Sequence, residues 1–285
     1  MNPLIGMDWV QKTAAIDLLL ERESLDTVPL LSGLEAELMK ICASDICCVL
    51  KVWNRNSRPN VGYQFELLEV LYDHGLPVSR PYGWGRDREL NSVLLTSYDG
   101  APAAANDERK LQAMADMLKE VHSVPPEVLD TFSVRRYDFI PYFFPRIEEH
   151  PDLHELLRSL VDRSGMIQDR LIHGDYHPKN IMEHGEKLTI IDWTNGQLGD
   201  PRYDVAWTIV LLRIYIGEHA ADCFRKSFLG LYTESELEIF EAIAFLRVIL
   251  LDRLFGLMKD VDGIQRARQI LRMNPYLNRN RHLLG

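Results

Sequence analysis

The sequence predicts an α+β protein with two lobes, a sheet-rich N-terminal lobe over residues 1–98 and a mainly helical C-terminal lobe over residues 99–285. Short β-prone runs separated by turn residues dominate the first part of the chain, and long runs with helical spacing of apolar residues dominate the second. This asymmetry is typical of two lobes within one chain, and it places their junction near residues 97–100.

The N-terminal lobe is predicted to contain two helices and five strands. Apolar residues at helical spacing predict an extra N-terminal helix over residues 8–23. The same spacing predicts a second helix over residues 61–74, which the dipeptide His74-Gly75 ends. The predicted strands are β-prone runs between turn signals, and they cover residues 27–31, 35–43, 47–53, 79–83 and 92–97.

The C-terminal lobe is predicted to be helical with one β insertion. Two short apolar runs, over residues 170–172 and 187–193, are typical of strands, and they enclose a polar loop. The predicted helices follow the helical period of apolar residues, and they cover residues 106–123, 152–163, 201–217, 219–231, 234–259 and 262–272.

Charge and hydropathy restrict the classes of partner. The chain has 32 Lys and Arg against 42 Asp and Glu, and its net charge of −10 argues against nucleic-acid binding and favours a cationic ligand. It has no secretory signal and no uninterrupted apolar run of about 20 residues, so we expect a cytoplasmic protein without membrane contact. The cysteines do not have the paired spacing of a zinc site, and we expect free thiols at Cys42, Cys47, Cys48 and Cys223.

Two segments of the C-terminal lobe carry the strongest functional signal. The segment HGDYHPKN, residues 173–180, holds an Asp and an Asn five positions apart, and the segment IIDW, residues 190–193, holds a second Asp after an apolar run. Phosphoryl transfer needs one carboxylate to accept the proton of an attacking hydroxyl, and an amide oxygen and a second carboxylate to hold Mg²⁺. Asp175, Asn180 and Asp192 match these roles in that order.

These two segments resemble those of the aminoglycoside phosphotransferase-like family of small-molecule kinases, which has a bilobal protein-kinase-like fold. Further matches lie at residues 74–78, 199–201 and 203–204, and the resemblance extends over about residues 28–260. It implies that Asp175 is the catalytic base, that Asn180 and Asp192 bind Mg²⁺, and that the 99–285 lobe binds the acceptor. It also implies that His173 orients the catalytic loop and that Asp204 fixes this loop from the next helix.

The resemblance further implies that the 1–98 lobe binds ATP, with GTP left open. Lys51, in the predicted strand 47–53, matches the phosphate-binding lysine of kinase-like folds. We choose Glu66 as its partner, although the family position falls on Gln64. The phosphate-covering turn is expected at Ser32 and Gly33, and the adenine contact at the backbone of Thr96 and Tyr98.

The sequence around the two segments argues against a protein substrate. Gly174 stands where protein kinases usually carry Arg, and only eight residues separate Asp192 from Pro201, too few for an activation segment. The expected acceptor is therefore a hydroxyl of a small molecule, with a cationic one favoured by charge; an aminoglycoside, a macrolide, a choline-like amine, an amino-acid alcohol and a sugar stay open. The alternative function is a degenerate kinase that binds nucleotide without transferring phosphate. The sequence sets no oligomeric state.

Overall fold

A computed structural model describes residues 2–30, 36–43, 46–54, 57, 59–130 and 132–284. The chain forms two compact units, one of Met1–Ala101 with Met182–Thr194, the other of Pro102–Ile181 with Asn195–Gly285. The predicted boundary after residue 98 lies close to residues 101–102, where the chain first passes from one unit to the other. However, residues 182–194, which the prediction assigned to the C-terminal lobe, belong to the first unit. The reason is local pairing, because Ile190 bridges to Val78 and its N–H donates to the Pro77 carbonyl at 2.7 Å.

The first unit is built on one antiparallel sheet of six strands. Its strands are β1 (Asp8–Lys12), β2 (Asp26–Pro29), β3 (Ala36–Ala43), β4 (Ile46–Trp53), β5 (Pro81–Arg86) and β6 (Ser92–Ser97). They lie in the order β1-β5-β6-β4-β3-β2, so β4 is an inner strand between β6 and β3. Alternate residues of the inner strands face an apolar core that includes Ile41, Cys48, Leu50, Val93 and Leu95.

The predicted N-terminal helix over residues 8–23 is only partly correct. Residues 8–12 form strand β1, and the helix α1 is limited to Ala14–Leu20. Strand β1 pairs with β5, where Gly83 and Gly85 admit its backbone closely; a Cβ at Gly85 would overlap the Asp8 carbonyl. Tertiary pairing therefore overrides the local helical period, and Ile16 and Leu19 of α1 are buried against the sheet.

Helix α2 (Val61–Asp73) follows the sheet hairpins and forms as predicted. The Asn60 side chain accepts a hydrogen bond from the Tyr63 N–H at 3.0 Å, which caps the first turn. The helix ends before Gly75, whose φ of +89° is readily adopted only by glycine. One face of α2 is buried, and it includes Gln64, Phe65, Leu68 and Leu71.

The second unit is mainly helical. Its helices are α3 (Glu108–His122), α4 (Pro126–Asp130), α5 (Phe139–Phe143), α6 (Pro151–Ser164), α7 (Pro201–Tyr215), α8 (Glu218–Lys226), α9 (Glu234–Phe255) and α10 (Val261–Met273). Helices α7 and α9 pack against each other at the centre of the core, and residues 242–250 of α9 are all buried. The six longer helices were predicted, whereas α4 and α5 have too few residues to show a helical period.

Short strands flank the loop over residues 173–180. Strand β8 (Arg170–Ile172) enters the loop and pairs with β11 (Gln197–Gly199), and β9 (Ile181–His184) leaves it. Strand β9 lies between β10 (Lys187–Ile190) and the two-residue β7 (Ala101–Pro102). None of the helices in the described part of the chain is long and apolar enough to cross a bilayer.

The expectation of four free thiols is wrong for one pair. Cys42 and Cys47 form a disulfide, because the register of β3 and β4 places them opposite each other with their Cα atoms 4.2 Å apart. Cys48 and Cys223 are free thiols, and burial raises the pKa of Cys48 to about 11.

Candidate active site

The loop over residues 173–180 is held by the buried carboxylate of Asp204. This residue lies in the first turn of α7, whose N-terminus is capped by the Asp200 side chain through the Arg202 N–H at 3.0 Å. Asp204 Oδ2 accepts a hydrogen bond from the His173 N–H at 2.6 Å, and its Oδ1 accepts one from the Gly174 N–H at 2.7 Å. Asp204 therefore fixes the backbone of the loop immediately before Asp175.

Gly174 allows the loop to turn at this point. Its φ is +76°, and a Cβ there would lie 2.8 Å from both the side chain and the carbonyl of Asn195. Glycine is therefore required both by conformation and by space. The ring of His173, which is fully buried, accepts a hydrogen bond from the Asp175 N–H through Nδ1 at 3.2 Å.

The Asp175 carboxylate is contacted at both oxygens. The indole N–H of Trp207 donates to Oδ1 at 2.8 Å, and Nε2 of His177 lies 3.6 Å from Oδ2. The side chain keeps 30% of its surface exposed, so it remains accessible. Desolvation raises its pKa, but the proximity of His177 and the charges of Arg247 and His173 lower it more. The pKa of Asp175 therefore lies well below its ordinary value.

A buried arginine supports this arrangement from helix α9. Arg247 Nη1 donates to the Gly174 carbonyl and to the Tyr203 hydroxyl, both at 2.9 Å. Its guanidinium group lies 4.2 Å from the ring centroid of Trp207 and 4.8 Å from that of Phe143. Arg247 thus contacts both the loop backbone and the indole that binds Asp175.

Asn180 is fixed at the end of the loop. Its side-chain NH₂ donates to the Asp175 carbonyl at 3.0 Å, and the residue is only 8% exposed. Because the nitrogen is engaged in this way, the amide oxygen points away from the Asp175 carbonyl. The His177 side chain accepts a hydrogen bond from the Lys179 N–H at 3.2 Å, which caps the turn of residues 178–180.

The first unit contains a lysine–aspartate pair. Lys51 Nζ, on the inner strand β4, donates to Asp192 Oδ1 at 2.8 Å, and the Thr194 hydroxyl donates to the same oxygen at 2.6 Å. Asp192 follows β10 and has a φ of +61°, an uncommon value for a residue with a side chain. The Lys51 side chain is 19% exposed and that of Asp192 is 37% exposed.

The choice of Glu66 as the partner of Lys51 needs correction. Within the described part of the chain, the ion pair of Lys51 is with Asp192, and Glu66 lies on the exposed face of α2. Gln64, where the family position falls, is 3% exposed, and its Oε1 has no hydrogen-bond partner among the described residues. The period of α2 explains the difference, because Gln64 shares the buried face with Leu68 and Leu71.

Of the residues predicted to contact the nucleotide, Thr96 and Tyr98 lie within the described part of the chain. Thr96 lies in β6, paired with Val49 of β4 and Pro81 of β5. The Tyr98 N–H donates to the Cys47 carbonyl at 3.0 Å, so this donor is already engaged and is not available to an adenine ring. Ser32 and Gly33 lie outside the described residues.

Trp207 and Arg247 were not predicted as site residues. Trp207 sits in an apolar helix, where its ring is indistinguishable by pattern from a core residue. Arg247 had a usable signal, because a charge within the apolar run 242–250 must be paired if the helix is buried.

Solved structures of small-molecule kinases share the fold. An ethanolamine kinase from Plasmodium vivax is 16% identical, with a TM-score of 0.67 over 94% of this chain and 87% of that one. The aminoglycoside phosphotransferase APH(4)-Ia, in a ternary complex with ADP and hygromycin B, is 16% identical, with a TM-score of 0.66 over 90% and 97%. The choline kinase LicA from Streptococcus pneumoniae is 16% identical, with a TM-score of 0.61 over 92% and 97%. These similarities confirm the predicted α+β, kinase-like fold.

Comparison of sequences gives the family. Acyl-CoA dehydrogenase family member 10 from Mus musculus is 24% identical over 172 residues, which cover 51% of this chain but only 16% of that protein. The family model described as "Phosphotransferase enzyme family" (APH) matches residues 43–240, including both segments singled out from the sequence. The chain therefore belongs to the APH phosphotransferase family, as its resemblance to small-molecule kinases had indicated.

Proposed function

We propose that the protein transfers the γ-phosphate of ATP, or of GTP, to a hydroxyl of a small molecule, and that it requires Mg²⁺. The observation that carries this proposal is the Asp175 carboxylate, which is oriented by Trp207 and kept ionised by its surroundings. An oriented and accessible carboxylate that can receive the proton of an attacking hydroxyl is what the catalytic residue of phosphoryl transfer needs.

In the proposed reaction, Asp175 accepts the proton of the acceptor hydroxyl while the hydroxyl oxygen of the acceptor forms a bond to the γ-phosphorus. The bond between the γ-phosphorus and the bridging oxygen of the nucleotide breaks, and the diphosphate leaves with the electron pair. The proton then passes from Asp175 to solvent. Trp207 and the Asp204-braced backbone hold the carboxylate in place throughout, because neither contact involves the oxygen that faces His177.

The donor chemistry of two further residues fits a magnesium ion. Asn180 offers an amide oxygen and Asp192 a carboxylate, and Mg²⁺ prefers such hard oxygen ligands. We propose that these residues hold the ion, which when bound neutralises charge on the nucleotide phosphates. Lys51, now paired with Asp192, supplies a cationic group for the same phosphates. For the adenine ring, we propose a contact with the backbone at Thr96 and Tyr98 through atoms other than the Tyr98 N–H, which donates to the Cys47 carbonyl.

The acceptor is proposed to be a small amino alcohol or another cationic hydroxyl compound. Two of the similar structures are named for ethanolamine and choline, which carry both an amine or ammonium group and a hydroxyl. The net charge of −10 favours such a cation over an anion.

A coupled assay of ADP release, run over a panel of hydroxyl compounds, tests the proposal. The panel includes ethanolamine, choline, hygromycin B, spectinomycin, a macrolide, an amino-acid alcohol and neutral sugars. We expect Asp175→Asn to lower kcat by at least about 100-fold on the accepted compound, the usual scale for loss of a general base.

The matched control is Asp162→Asn, an exposed aspartate of helix α6, which should leave turnover near the wild-type value. If Asp175→Asn retained most of the turnover, Asp175 would not be the general base. Mg²⁺-dependent ATP binding with no turnover across the panel would favour the alternative, a kinase that binds nucleotide without transfer.

A further inference from the structure

A second group of chemically reactive side chains lies at the packed pair of helices α3 and α8. Glu108 is the first residue of α3, and His219 and Cys223 lie one turn apart on α8. Residues four apart on a helix present their side chains on the same face. One ligand atom from each of the three residues lies within 4.8 Å of the other two.

The imidazole of His219 is the centre of this group. Its Nε2 lies 2.7 Å from Glu108 Oε1 and 3.8 Å from Cys223 Sγ. The His219 side chain is 80% exposed and that of Glu108 is 66% exposed. An exposed contact between an imidazole and a carboxylate contributes little to stability. The helical spacing of His219 and Cys223 brings the thiol to the same nitrogen.

We propose that Glu108, His219 and Cys223 form a binding site for a zinc-like divalent transition-metal ion. Carboxylate, imidazole and thiolate are the ligand types that Zn²⁺ takes in proteins, and three of them leave a fourth position for water. A tetrahedral ion with bonds of about 2.0–2.3 Å separates its ligand atoms by about 3.3–3.7 Å. The His219–Cys223 distance is already close to this range, and the exposed Glu108 side chain has room to withdraw by the remaining few tenths of an ångström.

Binding is balanced by the release of one proton. Cys223 loses its thiol proton to solvent and binds as the thiolate, and His219 binds as the neutral imidazole through Nε2 after its proton has shifted to Nδ1. The ion would connect the first turn of α3 to helix α8. The ligand chemistry of this site differs from that of the Asn180 and Asp192 oxygens proposed for Mg²⁺. It offers nitrogen and sulfur, which Mg²⁺ does not favour.

The test is a zinc titration of the tag-free, full-length protein after removal of bound metals with a chelator. Zn²⁺ is added in competition with a chromophoric zinc indicator, and we expect the protein to take up one equivalent with an affinity that depends on all three residues. His219→Gln and Cys223→Ser should each weaken this equivalent by at least about tenfold, since even the loss of a supporting contact to a ligand can have that effect. Glu127→Gln and His184→Gln, two exposed residues outside the group, are the matched controls and should bind like the wild type.

Co²⁺ provides a second readout that does not depend on affinity. We expect a sulfur-to-cobalt charge-transfer band in the wild type, and its loss in Cys223→Ser, which retains Cys48 as a buried thiol. Circular dichroism of each variant checks that it is folded. Absence of zinc uptake by the folded wild type, an equivalent that persists unchanged in His219→Gln, or a cobalt spectrum without the sulfur band would each overturn the proposal. None of these measurements requires phosphotransferase activity, so the site stands or falls independently of the proposed function.

Discussion

At the scale of single residues, Asp175 combines two properties that usually oppose each other. It is partly withdrawn from water, yet the charges around it keep its pKa low. The indole of Trp207 contributes an oriented N–H at one oxygen, while the imidazole of His177 lies beside the other. The carboxylate is therefore ionised and fixed in direction at neutral pH.

The pH dependence of activity should reveal the contribution of His177. In the wild type, the low pKa of Asp175 keeps its carboxylate ionised down to acidic pH, so the measurement must extend below about pH 5. His177→Asn keeps a side chain able to cap the turn at Lys179 but no longer reaches Asp175. Loss of the neighbour that favours the charged form should raise the pKa of Asp175, so the acid limb of kcat/KM should move to higher pH.

The groups that lower the pKa of Asp175 are His177, Arg247 and His173, and only the first is changed. His184→Asn, at an exposed histidine of β9, is the control and should leave the profile in place. An acid limb that stays at the wild-type pH in His177→Asn would show that His177 does not tune the base.

The residues that carry the family's pattern were predictable, and those that tune them were not. Asp175, Asn180 and Asp192 stand at fixed spacing within 18 positions of one another in the chain. Trp207, by contrast, meets Asp175 from 32 positions away, through the packing of α7, and no local pattern encodes that contact. The buried position of Gln64 on α2, by contrast, follows from the helical period that it shares with Leu68 and Leu71, and the choice of Glu66 went against that period.

At the scale of elements, several hydrogen bonds join helix α7 to the loop over residues 173–180. The helix supplies Asp204 to the backbone of residues 173 and 174, and Thr208 Oγ1 donates to the Tyr176 carbonyl at 2.8 Å. The Tyr176 hydroxyl in turn donates to the Met114 carbonyl of α3, also at 2.8 Å. Helices on both sides of the loop therefore add to the hydrogen bonds that the loop makes within itself.

Asp204→Asn tests how strongly the hydrogen bonds between helix α7 and the loop over residues 173–180 depend on one carboxylate. The amide keeps one acceptor but turns its NH₂ towards a backbone N–H, so one buried donor loses its partner. We expect a loss of about 1–3 kcal/mol in the free energy of unfolding, measured by urea denaturation. Turnover should fall as well, because the backbone before Asp175 is no longer fixed.

The control for this substitution is Asp262→Asn. Asp262 also lies in the first turn of a helix, α10, but it is exposed, so its replacement removes only a similar interaction with the helix terminus. A loss of stability in Asp204→Asn no greater than that in Asp262→Asn would contradict the role assigned to the buried carboxylate.

Helices with a long apolar period were predicted correctly. Predictions failed where the pairing of strands determined the structure. Helices α3, α6, α7 and α9 show several turns of apolar spacing, and each appears within a few residues of its predicted bounds. Residues 8–12 became a strand because β5 offers a free edge lined by glycines, a fact of the assembled sheet. The strand β11 and the helices α4 and α5 are three to five residues long, too short for any periodic signal.

At the scale of the whole molecule, the net charge of −10 leads to a testable prediction about the charge of the acceptor. An acidic protein attracts a cation before contact, and salt screens that attraction. For a cationic acceptor, kcat/KM should fall by at least about twofold when sodium chloride is raised from low to physiological ionic strength. The measurement is made at saturating ATP and Mg²⁺, so that nucleotide binding does not limit the rate.

A neutral sugar or other uncharged acceptor from the same panel serves as the reference, and its kcat/KM should change little. Equal salt dependence for charged and uncharged acceptors would argue that the acidic surface serves solubility and does not select the substrate.

The assignment of residues 182–194 to the first unit has a consequence for synthesis on the ribosome. The first unit is assembled from two stretches of chain, and the second stretch is separated from the first by 80 residues of the other unit. A growing chain that has emerged only as far as residue 101 lacks Ile190 and Asp192, so Val78 has no bridge and Lys51 no counter-charge. The first unit therefore stays incomplete until residues 182–194 have been synthesised and have left the ribosome.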